Sequence, residues 1–495
     1  MNMTRRWFIG GMASFGAFEG CRLSAAEAPV GGVARLKFGV VSDIHVIAEN
    51  TDVGRCGNTR TLKRALRWFD AQGVDGVLIS GDMADAGLIS QLQCVADAWN
   101  SVFPGGRSKL GGRPVEKLFI YGNHDWEGAG YNTSIFGRPS KELVQDQIRV
   151  IGLKKAWEEV FEEEYAPIYS KCVNGYTFIG GHWDGANGSG WGKGPDIRPF
   201  FAEHGGKIDP SRPFFYFQHP HPKNTCYGSW ASATDGGITT EVLSKFPNAI
   251  AFSGHSHYPL LDERGIWQGA FTSIGAGSLR YAGCPHAEFA AEGGFENSAG
   301  DEKKRKGTTG KTMWKVGAHD ERSGMLLSVY DDHITINRRD FVNDCELGPD
   351  WVMPLPVAES KPFAFTEHAK RFTAPEFAPK AKLSTSRGRR KIGKGKSEKE
   401  IDVINLSVPA AQQTFANRVW RYNIQVELKD GGEVMLTRRV LSPDYYLPLE
   451  KAVKSFFLPV PVGDLPADKE FRFSVVPANC FGQCGKPLTT DYLKV

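Results

Sequence analysis

Long apolar runs are missing from this chain of 495 residues. Its N-terminal apolar stretch, residues 10–18, is Gly-rich and too short to cross a bilayer. No transmembrane helix is therefore expected in the mature protein. Cysteines are few, nine in all, and none forms a C-x-x-C pair, which argues against a dithiol redox enzyme. A strong charge bias is also absent. The 60 Lys and Arg nearly balance the 56 Asp and Glu, and a net +4 does not mark a specific nucleic-acid binder. From about residue 375 onward helical periodicity disappears, which excludes one uniform α/β fold. The length alone exceeds one ordinary core and implies two or more domains.

What is present is a series of five short motifs rich in Asp, Asn and His. In order they are Asp43-Ile44-His45, Gly81-Asp82, Gly122-Asn123-His124-Asp125, Gln218-His219-Pro220 and Gly254-His255-Ser256-His257. Each sits at or just after a run that reads as a buried strand: residues 35–41, 76–80, 117–121, 214–217 and 249–252. Between the first strands, Leu62, Ala65, Leu66 and Phe69 keep the spacing of an amphipathic helix over 59–72, stopped by Gly73. A second helix is expected over 88–102. Strand, helix, strand, helix, strand predicts an α/β layer architecture with its site at the carboxyl ends of the strands.

Gly81-Asp82 and Gly122-Asn123 taken singly are common turn dipeptides. The five in series are a different matter. Carboxylate, carboxamide and imidazole groups converging from several strand ends can hold two metal ions ~3.5–4 Å apart, the arrangement that attacks a phosphate ester with a bound hydroxide. Such donors suit Mn, Fe, Zn or Co, and the lack of a thiolate argues against a closed structural zinc site.

The motif order resembles the calcineurin-like metallophosphoesterase superfamily, whose pattern is D-x-H, GD, GNH followed by D or E, a lone H, and GHxH. The resemblance covers residues 35–344. It implies an α/β fold with two mixed sheets packed as a sandwich and flanked by helices. It also implies two divalent or trivalent metal ions. The first would be held by Asp43, His45 and His257, the second by Asn123, His219 and His255, with Asp82 bridging. His124 would be the proton donor or oxyanion stabiliser over the substrate, and Asp85 the acid that orients it. Phosphoprotein phosphatases of the superfamily carry an arginine after that acid, and here the position is Ala86. The departure points away from phosphoproteins, toward a small-molecule, lipid or nucleotide phosphate ester, with diester cleavage favoured over monoester cleavage. A phosphomonoesterase of the same fold and a non-catalytic metal-binding or surface-binding protein are the alternatives.

His182 and Asp184 follow another strand-like run and read either as substrate-lining or, for His182, as a satisfied structural histidine. Residues 131–166 read as a helical insertion forming a wall of the cleft, and 169–180 as a hairpin turning at Asn174-Gly175. Residues 283–317 read as a surface loop, and the runs 270–274, 324–330 and 333–340 are expected to complete the second sheet. The domains read as an export signal over 1–28, a catalytic domain over 34–353, a Pro-rich linker over 354–374 and a small all-β sandwich over 375–495. The sandwich weakly resembles fibronectin type III or immunoglobulin modules. Its strands are expected at 382–385, 403–408, 420–428, 433–440 and 470–476, with residues 387–400 a basic loop. Arg5-Arg6 before an apolar stretch, with small residues at 24–28, resembles a twin-arginine export signal, an ordinary secretory signal being the alternative. Either route implies a periplasmic or secreted protein. Cys21 after Gly20 offers a lipid anchor, and Cys480 with Cys484 could close a small disulfide loop.

Overall fold

The computed structural model describes residues 32–47, 57–131, 145–183, 194–227, 234–285, 313–315, 322–392, 398–443, 445 and 447–495. The export-signal segment, Cys21 and Asp184 lie outside these residues.

Two mixed sheets are stacked face to face. The first is built on three parallel strands, β1 (Leu36–Val41), β2 (Gly76–Ile79) and β3 (Glu116–Phe119). The second holds β4 (Ile168–Val173), β5 (Tyr176–Gly181), β6 (Phe214–Phe217), β7 (Ala249–Ser253), β8 (Ile266–Gln268) and β9 (Thr272–Gly275) in the order β4-β5-β6-β7-β9-β8. Beyond a short ribbon of β10 (Gly283–Pro285) and β11 (Met313–Lys315), the chain returns to the first sheet. There β12 (Ser323–Val329) pairs antiparallel with β1, and β13 (His333–Asp340) with β12. Two short strands, β14 (Cys345–Glu346) and β15 (Trp351–Pro354), both pair with β13.

The last point corrects the expectation that all later runs complete the second sheet. Only β9 does so. β12 and β13 cap the open edge of β1, where all seven residues of β12 are buried. Periodicity reveals that a run is a strand, but its partner is fixed by contacts distant in sequence.

Side-chain alternation builds the layers. Phe38, Val40, Leu78 and Leu118 of the first sheet point between the sheets, against Phe178, Phe215, Ile250 and Phe252 of the second. On the other face of the first sheet, Val77, Ile79 and Phe119 meet α1 (Gly57–Gln72) and α2 (Ile89–Val102) through Leu62, Leu66, Phe69, Leu92, Val95 and Trp99. Each such fully buried side chain contributes about 1.5–3 kcal/mol of transfer free energy. The outer face of the second sheet is closed by Phe201, Val242 and Leu243. The β4–β5 hairpin turns at Asn174 (φ 50°) and Gly175 (φ 80°), the left-handed pair that a two-residue hairpin turn demands.

Residues 384–495 form two antiparallel sheets. One contains β16 (Ser384–Ile392), β17 (Lys399–Pro409) and β20 (Ser455–Pro461). The other contains β18 (Arg421–Leu428), β19 (Val434–Leu441), β21 (Phe471–Ala478) and β22 (Leu488–Thr489). Ile404, Leu406 and Val408 pack on Tyr422, Ile424, Val426, Phe473 and Val475. The expected basic loop at 387–400 is instead mostly a hairpin, with 393–397 outside the described residues. Arg389 lies opposite Asp402 and Lys391 opposite Glu400, so cross-strand charge pairing lets a basic run lie in a strand. Cys480 and Cys484 are not bridged. The segment between the sheets packs on the first part of the chain, burying Val357 and Phe363 in the core between its two sheets.

Candidate metal centre

The turns after β1, β2 and β7 adopt a backbone conformation that most side chains avoid. Asp43 (φ 51°), His45 (47°), Asp82 (51°), His255 (67°) and His257 (55°) are all left-handed, five of the ten described non-glycine residues with positive φ. Each costs of order 1 kcal/mol and persists only where its surroundings fix it. Here the loops fix one another. Asp43 N donates to Gly81 O at 3.1 Å, His45 N to Asp82 O at 2.9 Å, and His255 N to the Asp43 carboxylate at 3.0 and 3.2 Å. Two glycines allow the approach: a Cβ on Gly122 would overlap Asp82, and one on Gly254 would overlap Ser42 and Asp43.

The side chains then meet. His257 Nε2 lies 2.8 Å from Asp43 Oδ1, and His45 Nε2 lies 3.1 Å from His257 Nε2 and 3.5 Å from Asp82 Oδ2. Across Asp82, the same Oδ2 is 3.1 Å from His219 Nε2, whose ring is centred 4.9 Å from that of His255. Beside a group of His45, Asp85 and His124, candidate ligand atoms form two groups that could make a dimetal centre, Asp43, His45, Asp82 and His257 in one and Asp82, His219 and His255 in the other, each within 4.8 Å. Asp82 belongs to both.

Two buried lone pairs show that these residues suit metal ions. In its neutral, metal-binding form His219 donates Nδ1–H to Ser80 O at 2.7 Å, and its Nε2 is then a lone pair buried without a hydrogen-bond donor. Asn123 Oδ1, at the start of α3 (Asn123–Tyr131), is likewise buried without one. Unpartnered buried acceptors are costly, and a cation would satisfy both. The charges point the same way. Burial by itself would raise the pKa values of Asp43 and Asp82, but neighbouring histidines outweigh it and hold both below the usual carboxylate range. Burial would lower His45 and His219. Asp43 and Asp85 around the first, and Asp82 beside the second, push both up to about 9. Protons on these rings balance the buried carboxylates, and bound cations would replace those protons.

The two proposed catalytic residues lie beside this cluster. His124 N donates to Asp82 Oδ1 at 2.8 Å, and its Nδ1–H donates to the Asp85 backbone carbonyl at 2.8 Å. The neutral ring therefore presents Nε2 as an acceptor, and burial lowers its pKa to about 4. The Asp85 carboxylate has His45 Nδ1 at 3.0 Å, whereas His124 Nδ1 is 3.7 Å away. Burial opposes ionisation of Asp85, yet the His45 contact carries it down to about 2. Asp85 thus orients a candidate ligand with its side chain and His124 with its main chain.

His182 is packed among Tyr121, Trp157, Tyr165 and Tyr169, where its Nδ1 accepts the Tyr121 N–H at 3.1 Å. Burial pushes its pKa down to about 3. At 1% exposure it is enclosed by these rings, and through that hydrogen bond it braces the turn after β3. His221 also stands apart, with Nδ1 2.5 Å from Ser253 Oγ.

Three neighbours had no role in the sequence reading. Asp125 accepts from Gly122 N and Ala84 N at 2.7 Å and from Met83 N at 3.3 Å, tying the turn after β2 to that after β3. Arg280 pairs with the Asp85 carboxylate, and the Tyr281 ring is centred 4.3 Å from that of His257. Both follow the end of β9, so the strand-end rule that located the motifs pointed there too, although no motif marks them.

The fold and this cluster together define a metal-dependent phosphoric ester hydrolase. Residues 36–259, which carry all five motifs, match the model for calcineurin-like phosphoesterases. No curated protein matches the chain. Similar solved structures include a dimetal phosphatase from Danio rerio at 13% identity and TM-score 0.37, covering 64% of this chain and 99% of that one. A predicted phosphoesterase from Streptococcus pneumoniae is similar at 12% identity and TM-score 0.26, covering 64% of this chain and 97% of that one. An archaeal phosphodiesterase is similar at 13% identity and TM-score 0.21, covering 49% of this chain and 85% of that one. Likeness of this order carries no argument about substrate.

Proposed function

We propose that the chain is an exported hydrolase that uses two metal ions and cleaves phosphodiesters at least as readily as phosphomonoesters. The observation that carries the two-metal reading is the pair of ligand groups sharing Asp82. Asp43, His45 and His257 would hold one ion and Asn123, His219 and His255 the other. When bound, such ions supply charge for the phosphoryl oxygens and acidify a water to serve as nucleophile. The protein's own work is placement. Asp85 and Ser80 hold the His45 and His219 rings by their Nδ1 atoms, so that each Nε2 faces inward. His124, with Nδ1–H committed to a carbonyl, can donate a proton from Nε2 only as an imidazolium, and an arriving phosphate anion favours that form.

Charge at the rim supports the diester preference. Ala86 is buried and supplies no cation, and Arg280 is already paired with Asp85. A diester brings one negative charge to the reacting phosphorus, so it needs less positive charge than a terminal monoester. A panel of chromogenic mono- and diesters, assayed with Mn, Fe, Zn and Co in turn, tests the reading. Diester kcat/KM should equal or exceed monoester kcat/KM. A monoester preference above about tenfold, roughly 1.4 kcal/mol, would make the protein a phosphomonoesterase.

Arg5-Arg6 supports export in the folded state, which would allow metal loading before translocation. Replacing both with lysine should leave the precursor in the cytoplasm on fractionation. Normal export of the double variant would favour the ordinary secretory route.

A further inference from the structure

The double-histidine motif runs directly into a buried polar junction with the C-terminal sandwich. Tyr258 follows His257, and its ring is centred 5.0 Å from that of Tyr227. Tyr227 N donates to Arg264 O at 2.9 Å, so Tyr227 meets residues 258–264 at both ends, and within them Asp262 N closes a turn onto Pro259 O at 3.0 Å. Asp262 and Arg264, each 2% exposed, form a two-bond pair at 3.0 and 2.7 Å. The Arg264 guanidinium lies between two rings, 3.6 Å from the centroid of Tyr227 and 4.3 Å from that of Trp420. Tyr445 donates its hydroxyl to the Asp262 carboxylate. Trp420 and Tyr445 belong to the C-terminal part, whereas every other group named belongs to the part that carries the motifs.

A buried ion pair is costly unless its remaining lone pairs are satisfied. Trp420 and Tyr445 complete this one, five and seven residues beyond His257, which like His255 has a left-handed backbone that requires support from its surroundings. We infer that the C-terminal sandwich clamps the double-histidine loop, with Tyr445 and Trp420 as positioning residues that hold His255 and His257 ready for metal. The inference rests on the two-metal reading above. It gives the sandwich a part in metal retention in addition to any part in substrate handling.

The test is Mn2+ titrated into the metal-stripped full-length chain against a fluorescent chelator, with thermal unfolding recorded alongside. Tyr445→Phe should raise the Mn2+ dissociation constant ~5-fold or more, in line with losses of supporting contacts around metal ligands. At saturating Mn2+ its kcat should return to within about twofold of wild type, because the clamp is remote from the reacting atoms. Tyr422→Phe is the matched control. It removes a sandwich hydroxyl that accepts from Ala411 N at 3.1 Å, away from the Asp262–Arg264 pair, and should lower stability without changing Mn2+ affinity. An unchanged dissociation constant in Tyr445→Phe would overturn the clamp, and so would an equal shift in Tyr422→Phe, which would signal general destabilisation. Failure of the wild-type chain to bind Mn2+ would overturn the metal centre and the clamp with it.

Discussion

The two-sheet region and the C-terminal sandwich treat carboxylates in opposite ways. Asp43, Asp82, Asp85 and Asp125 are all buried at the strand ends of the first. Among the described residues, the sandwich over 384–495 buries none; its carboxylates sit outside, as in the exposed Lys391–Glu398 and Arg389–Glu400 pairs. The sandwich strands alternate buried and half-buried positions, the pattern of a sheet with one wetter face, and the strained left-handed residues at the centre have no counterpart in its described core. A fold selected for packing alone would resemble the sandwich. Carboxylates and imidazoles crowded into a core, on backbone held in costly conformations, are a destabilising arrangement that function explains and packing does not.

Breaking that contrast at its centre should have the largest effect. Asp82→Asn removes the one charge common to both ligand groups. It should lower metal affinity by at least ~100-fold, more than loss of an outer-shell partner, and take phosphoesterase activity toward background. Metal analysis of the purified variant with a rate measurement decides this, and near-normal values for both would refute the two-metal centre. His124→Ala should keep its metal and lose turnover by ~100-fold on a nitrophenyl ester, the low end of the range for a positioned acid. An alkyl ester, with its poorer leaving group, should lose more. Equal losses on the two esters would make His124 a charge-binding group and not an acid.

The sandwich should respond in stability instead. Phe473, fully buried between its sheets, should cost about 3–5 kcal/mol when cut to alanine, read by denaturant unfolding, while the folded fraction keeps its metal. Glu263, at the junction of the two regions, sharpens the comparison with a smaller effect. Burial opposes its ionisation, but Arg338 and His368 hold its pKa near 2, below the ordinary 4.5. Its contribution is therefore complete above pH 4.5 and is lost as pH falls toward 2. Glu263→Gln should remove roughly 1–3 kcal/mol of stability at neutral pH, less in acid, so that the two unfolding curves converge below pH 4.

Motif and strand positions were legible in the sequence because both are local. The motifs after 41, 80, 121, 217 and 252 needed only an apolar run and a turn, and the hairpin at Asn174-Gly175 needed only its turn chemistry. Groupings across the sequence were harder to read. Nothing near Arg280 shows that it meets Asp85, 195 residues away. Nothing near His182 shows four aromatic side chains closing around it. β20 was missed because Pro459 and Pro461 interrupt its pattern, although it lies at a sheet edge, where a missing N–H costs no ladder bond. The charged run at 387–391 suggested solvent until its cross-strand partners supplied a reason for a strand.

The glycines at 122 and 254 also act as spacers of fixed thickness. Because Gly122 brings bare main chain against Asp82, and Gly254 against the side chains of Ser42 and Asp43, neither loop can move closer or take on a Cβ without displacing those groups. Side chains anchored on such loops inherit that spacing. Replacing one metal by another of similar charge would then change bond strengths within the centre more than the distance between its two halves, and a single methyl group at either glycine would reset that distance for every ligand at once.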